Sequence, residues 1–400
     1  MMPINVLPDK RIHSIDILRA LTILLMVFVN EVAGMHDIPQ WLKHMPAGAD
    51  AMTITDWVFP GFLFIVGMSI PFAINHRIRK GDSFWMLQKH ILTRTLGLLV
   101  LGFFMVNAES GYNAEAMLIP ISWWKFLFYP LVILTWNVYS FKNKKWEYAL
   151  RGLGLCGLLV LALCYRGGEN GEEFMKPQWW GILGLIGWAY LYGSIMYQLS
   201  KGKKIALFVF FVLCTLVFVV AKIPISNNSV LLNWTKSQAG HATHTGIVLC
   251  GMVLSLIFFD QKNKASLLNR YIIAGIFAFL LVLSGIMLRP AFYVSKIFAT
   301  PSWAMFSSAA SIILFGLLHY VTDVRQINKW TNFFKPAGTN PLLTYIVPFI
   351  IASVFTLTNF YFLPDSFRTG IYGILFSAAY SVLVIWLVKL LNKFKIRLQL

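Results

Sequence analysis

The stretch Arg11-Ile-His-Ser-Ile-Asp-Ile-Leu-Arg-Ala-Leu-Thr-Ile-Leu-Leu-Met-Val-Phe-Val-Asn30 decides how this chain is to be read. It opens on charge and then stays apolar for about the 20 residues that a helix needs to cross a bilayer core. Arg19 and Asn30 sit within or at the end of that run, where ionisable and amide groups are costly and by default functional. A polar loop carrying His44 follows, then Thr53-Ile-Thr-Asp-Trp-Val-Phe-Pro60 and a second apolar run.

Working outward, the same pattern recurs along all 400 residues, which are 58% hydrophobic and 12% charged with mean hydropathy +0.68. That balance excludes a soluble globular protein. Twelve spans are read at approximately 15–34, 56–75, 90–107, 120–141, 149–165, 179–199, 204–222, 243–260, 271–289, 302–321, 339–358 and 369–391. Eleven or ten also fit, because the runs at 149–165 and 243–260 are short and interrupted by glycine. Backbone groups in lipid must be satisfied within their own segment, so every span is expected to be helical. The fold class is therefore all-α, a polytopic transmembrane helical bundle. With no linker or soluble insert, residues 1–400 read as a single membrane domain. No convincing internal repeat is present, which argues against an inverted-repeat transporter.

The formal charge of +18 does not point to nucleic acid. Most of the 34 Lys and Arg fall in the N-terminus and in the segments 76–90, 142–151, 201–204, 262–270, 325–335 and 389–397. These are alternate inter-span segments, so the bias is the positive-inside pattern. It puts both termini in the cytoplasm and the chain in the inner, cytoplasmic membrane as a multi-pass protein. A short apolar core with a cleavage site is not evident near the start, so the first span is expected to stay as an anchor. Cys156, Cys164, Cys214 and Cys250 fall in or beside apolar runs without ligand spacing and read as small buried hydrophobes.

The segments assigned outside differ in character. Glu109 to Glu115 and Arg166-Gly-Gly-Glu-Asn-Gly-Glu-Glu173 are acidic and polar, and Ile223 to Thr245 reads as a long loop with Asn227, Asn228, Gln238, His241 and His244. Trp123, Trp124, Trp179, Trp180 and Trp303 at span ends suit an interfacial aromatic belt, with sugar stacking as the alternative.

In the first span Arg19 and Asn30 are 11 residues apart, roughly 16 Å along a helix and nearly on one face. That stripe carries a cation at the inner end and an amide at the outer end. A long anionic ligand entering from the cytoplasm would leave its phosphates at Arg11 and Arg19 and present its far end to Asn30. Coenzyme A has that shape. The bland alternatives are a snorkelling anchor for Arg19 and an interhelical hydrogen bond for Asn30. His44 has a side chain suited to general-base work near neutral pH. Asp56 is placed either to orient that ring or to open the second helix as an N-terminal carboxylate.

Taken together, Arg11-x-x-Ser14-x-Asp16-x-x-Arg19, Met26-Val-x-Val-Asn30, His44 and Thr53-x-x-Asp56-x-Val58-Phe59-Pro60-x-Phe62-x-Phe64-Ile65-x-Gly67-x-Ser69-Ile70 closely resemble the heparan-α-glucosaminide N-acetyltransferase family. Residues 11–75 carry the match. Ser295-Lys-Ile-Phe-Ala-Thr-Pro-Ser-Trp303 and Lys335-Pro-Ala-Gly-Thr-Asn-Pro-Leu-Leu-Thr-Tyr345 look like its bacterial branch. The resemblance implies a membrane enzyme that passes the acetyl group of cytoplasmic acetyl-CoA to the amine of a terminal glucosamine on the outer side. It implies His44 as the active-site histidine, with general-base catalysis of direct transfer and a two-step acetyl-His route both open. It also implies Asn30 as its partner amide, Asp56 as the motif aspartate, and Arg11 and Arg19 facing the coenzyme's phosphates. Ala20 stands where the family has glycine, the loop from Asn30 to His44 is longer, and Met45-Pro-Ala-Gly48 stands where the family has aromatic-Asn-Gly.

The expected partners are acetyl-CoA, an amino sugar or glycan acceptor and membrane lipid, with no nucleic acid, and a homodimer is compatible with the reading. No metal is expected, since His241-x-x-His244 has no further ligand nearby in sequence. Two other readings stand beside this one. An O-acetyltransferase of cell-envelope polysaccharide differs only in the acceptor atom, and a transporter or flippase of an amphiphile would move its substrate without cleaving a thioester.

Overall fold

Each of the twelve apolar runs becomes one helix. The computed structural model describes residues 7–8, 12–222, 230–262, 264–359 and 364–400. Arg11 lies outside the described residues, as do Asn227 and Asn228. The helices are α1 (His13–Val32), α2 (Ile54–Arg79), α3 (Phe84–Glu109), α4 (Ile121–Trp136), α5 (Lys144–Cys164), α6 (Ile182–Leu199), α7 (Lys204–Lys222), α8 (Val230–Phe259), α9 (Leu267–Phe292), α10 (Pro301–His319), α11 (Lys335–Thr339), α12 (Pro341–Thr358) and α13 (Gly370–Lys393). Ten of them are long and apolar enough to cross a membrane, and no strand occurs among the described residues. The protein is an all-α, multi-pass membrane bundle. The extra helix beyond the twelve runs, α11, is five residues long.

One expectation is corrected. The segment read as a long outer loop up to Thr245 is helical from Val230, and α8 is 30 residues long. A span needs only about 20, so the polar first half, with His241 and His244, continues the helix beyond the apolar run. The apolar run begins only near position 243, so the polar turns before it read as loop.

The chain divides into two compact units, Met1–Thr22 with Pro39–Thr95 and Ile186–Asn332, and Ile23–Ile38 with Leu96–Leu185 and Phe333–Leu400. In the first unit α8 is the central element, packed against α2, α7, α9 and α10. Its apolar window is 94% buried, against 28% for α7 and α9, whose outward apolar faces suit lipid. The α2–α8 crossing is backbone to backbone. A Cβ on Gly67 would lie 1.9 Å from the Val248 carbonyl oxygen, and one on Gly251 would lie 2.0 Å from that of Phe64. Small residues permit such approach, which supplies the dispersion that holds membrane helices together.

In the second unit α4 packs on α5 and α12, and α13 on α11 and α12. Trp124, Phe104 and Phe128 form a near-parallel stack. The C-terminal tail is fastened: the Val138 N–H donates to Arg397 O at 2.8 Å, and the Gln399 N–H to Trp136 O at 3.1 Å. Asn340, in the motif Lys335–Tyr345, donates to Asn392 Oδ1 (3.0 Å) and Ile396 O (3.2 Å) and accepts from the Leu398 N–H. Its visible work is to anchor that tail.

Candidate active site

The first turn of α2 builds the centre of the site. Thr53 precedes the helix, and the Asp56 carboxylate reaches back to accept from the Thr53 N–H at 3.1 Å, one half of a capping box. Thr53 Oγ1 and Thr55 Oγ1 donate to Lys43 O and Leu42 O, each at 2.8 Å, and the Met45 N–H donates to Asp56 Oδ2 at 3.2 Å. These bonds tie the 42–45 segment down on both sides of His44. His44 Nδ1 then lies 2.7 Å from Asp56 Oδ1.

An ionised carboxylate only accepts, so His44 is assigned the tautomer with hydrogen on Nδ1. The lone pair is thereby left on Nε2. The ring is 38% exposed while the carboxylate is 2% exposed, so burial fixes the group that orients the ring. Asp56 performs both roles weighed from the sequence, since it opens the helix and holds the ring.

Pro60 explains a further partner. A proline inside a helix leaves the carbonyl four residues earlier without its donor, and here that carbonyl belongs to Asp56. Trp303 Nε1 donates to Asp56 O at 3.1 Å. Trp303 is fully buried and is therefore not a belt residue, and Trp124 is likewise buried, whereas Trp123 and Trp180 are exposed. His244 packs edge-on against Phe59 and Trp303. It forms no part of a metal cluster among the described residues.

Lys296, in the turn between α9 and α10, lies in the Ser295–Trp303 segment, which the resemblance covers without giving this lysine a role. Its Nζ lies 3.1 Å from His44 Nε2 and 3.3 Å from Nδ1. The two loops are joined by a clamp. Asp50 accepts from Arg289 Nε and from the Val294 N–H, both at 2.8 Å, and Ser295 Oγ donates to Ala47 O at 2.9 Å. The bond from Arg289 holds the Asp50 carboxyl below its ordinary range. Tyr293 (φ 56°) and Ala299 (φ 47°) take left-handed backbone on either side of Lys296, a conformation that costs non-glycine residues energy and clusters at functional sites. Burial pushes the Lys296 amine down to about 8, against the opposing pull of the Asp56 carboxylate.

Arg19 lies elsewhere in the same unit. Its Nη1 pairs with Asp16 at 3.0 Å and its Nη2 donates to Ser69 Oγ at 2.8 Å. Both Arg19 and Ser69 line a cleft of about 350 Å³ with Asp16, Phe72, His76 and Arg79. Ser69 and Asp56 are separated by 13 residues of α2, roughly 20 Å of helix. Asn30 belongs to the other unit, exposed in the last turn of α1. The structure thus brings His44, Asp56 and Lys296 together and sets Arg19 in the cleft toward the far end of α2.

Residues 11–242, more than half of the chain, match a family described as a domain of unknown function, DUF5009. The chain belongs to the DUF5009 family. The matched residues include His44 and Asp56, while Lys296 and Trp303 lie beyond them. The protein is also similar to heparan-alpha-glucosaminide N-acetyltransferase of Homo sapiens, 34% identical over 113 residues, which is 28% of this chain and 15% of the human protein. The Mus musculus protein of the same name is 33% identical over 114 residues, covering 28% and 16% of the two chains. The aligned stretch thus spans less than a fifth of either relative.

Proposed function

We propose that this DUF5009 protein is a membrane acetyltransferase that moves the acetyl group of acetyl-CoA to the amine of an amino sugar. The observation that carries the reading is the 2.7 Å contact between His44 Nδ1 and the buried Asp56 carboxylate, which leaves the basic lone pair on Nε2. The similarity to proteins named as N-acetyltransferases supports the same chemistry.

The donor's charged nucleotide end is assigned to the cleft, where Arg19 and Arg79 offer guanidinium groups beside His76. Such groups suit phosphate oxygens through charge-assisted hydrogen bonds. Arg11 is assigned to the same end on the strength of the resemblance. The acceptor amine docks at His44. Its nitrogen attacks the thioester carbonyl and gives a proton to Nε2, the C–S bond breaks, and the departing thiolate takes that proton. Asp56 favours the transient imidazolium without being protonated itself, as in other oriented histidines. Asn30 is carried only by the resemblance, as the partner amide. By the positive-inside bias the cleft faces the cytoplasm and His44 the outer side of the inner membrane.

Purified protein is incubated with acetyl-CoA, with and without glucosamine, and free thiol and N-acetylglucosamine are measured. Glucosamine-dependent thiol release with stoichiometric product is expected. Thiol release with hydroxyl sugars alone would place the acceptor atom on oxygen, and none with any acceptor would overturn the acetyltransferase reading.

A further inference from the structure

An acceptor amine served by His44 must come within hydrogen-bond distance of Nε2. That position already holds an amine. Lys296 Nζ lies 3.1 Å from Nε2, and among the described residues it hydrogen-bonds to His44 alone. Ordinary lysines on a membrane protein's rim are solvated or paired with carboxylates. This one is half-buried and is held in place by a purpose-built turn, with Asp50 clamping Arg289 and the Val294 N–H, and Ser295 Oγ fixed on Ala47 O.

We propose that Lys296 is a modification site at which the protein acetylates itself, the side-chain amine standing in for the acceptor when no sugar is bound. This rests on the acetyltransferase reading of the same site. The step is the acceptor reaction with a tethered amine. The neutral Nζ attacks the thioester carbonyl of acetyl-CoA, the C–N bond forms, and the C–S bond breaks. A proton passes from Nζ to His44 Nε2 and on to the thiolate, so the products are Nε-acetyl-lysine and coenzyme A thiol.

Two further properties support it. Burial lowers the Lys296 amine to about 8, so about a tenth of it is the neutral nucleophile at pH 7. Desolvation is also how proteins elsewhere activate lysine nucleophiles. The product is an amide, which is no longer basic and does not pass its acetyl group on. Acetylation therefore removes the cation beside His44 and leaves a bulkier neutral group where the acceptor has to dock. The modified protein is silenced toward sugars, and bound sugar protects Lys296 by occupying the same place.

The test uses the full chain in detergent with acetyl-CoA and no acceptor, followed by peptide mass analysis and thiol measurement. One acetyl group per chain on Lys296 is expected, with a matching amount of thiol, suppressed by glucosamine and missing in Lys296→Arg. In His44→Ala the rate at Lys296 falls by about 10²-fold or more, the usual cost of removing a general base, while exposed Lys80 keeps its background level. Lys296 left unmodified in the acceptor-free incubation, in protein that does transfer to glucosamine when it is added, overturns this inference and leaves the acetyltransferase reading standing. Equal acetylation of Lys296 in the His44→Ala variant overturns it too, as uncatalysed chemistry. No thiol release with or without glucosamine overturns both.

Discussion

At the scale of single residues, the site rests on one oriented imidazole. His44→Ala is expected to lower transfer by about 10²–10⁴ while acetyl-CoA binding stays within a fewfold, because the cleft lies well down α2 from the ring. Single-turnover assays alongside calorimetric titration of the donor check this, and near-normal turnover would remove the assigned role. Arg19→Ala should do the reverse. Losing a charge-assisted contact costs about 1.5–3 kcal/mol, so the donor Kd should rise roughly 10- to 150-fold with turnover at saturation less affected. Unchanged donor affinity would reduce Arg19 to a structural partner of Asp16 and Ser69. For Lys296, burial favours the uncharged amine, so its reaction with an amine-directed reagent should rise through about pH 8, where an ordinary lysine is still protonated. The Asp56 carboxylate opposes that shift, so Asp56→Asn should move the midpoint lower still. A midpoint near the ordinary lysine value of about 10.4 would contradict the burial argument.

At the scale of elements, the α2–α8 crossing matters most, because α2 carries Asp56 in its first turn and part of the cleft lining in its last. Gly67 and Gly251 let the two backbones meet, and a methyl group at either position has no room against a carbonyl oxygen. Gly251→Val should therefore part the helices or prevent folding, beyond the usual 1–3 kcal/mol of an overpacked core. Gly275→Val, on α9 where nothing lies within 4 Å of a built Cβ, should be tolerated. Detergent-extracted yield and thermal unfolding of both variants check the contrast, and equal behaviour would mean the crossing does not hold the unit together. Apolar runs long enough to span a bilayer make these elements legible in the sequence. The start of α8 is not legible, because a polar helical turn looks like a loop until its packing partners are known.

At the scale of the whole molecule, the orientation in the membrane decides whether the proposed chemistry is transmembrane. The Lys and Arg bias places the 33–53 loop outside and the 80–83 turn inside. In a background lacking the four native cysteines, Gly48→Cys should react with an impermeant thiol reagent on intact cells. Lys80→Cys should react only after permeabilisation. Both positions are exposed, and Lys80 has ordinary helical backbone, unlike neighbouring Gly81. The opposite labelling would put His44 in the donor's compartment and remove the basis for transfer across the membrane.

What the sequence determined by itself was whatever lipid or a single turn of helix enforces. Spans follow from the need to bury about 20 apolar residues with their backbone bonds satisfied. The partnership of His44 with Asp56 was foreshadowed because a Thr53-x-x-Asp56 helix start is local and the loop is short. The third partner was decided only by tertiary structure. Lys296 reaches His44 across 252 residues of sequence and Trp303 reaches Asp56 across 247. Pro60 announces that a carbonyl will lack its donor, yet nothing local says which indole will supply one. Likewise Arg19 read as a phosphate contact or a snorkelling anchor, and only the folded chain brings Ser69, 50 residues away, within hydrogen-bond distance of it. Hydropathy and capping are settled over a few residues against solvent or lipid. Partners on distant helices are settled by which faces pack, and that is a property of the folded bundle.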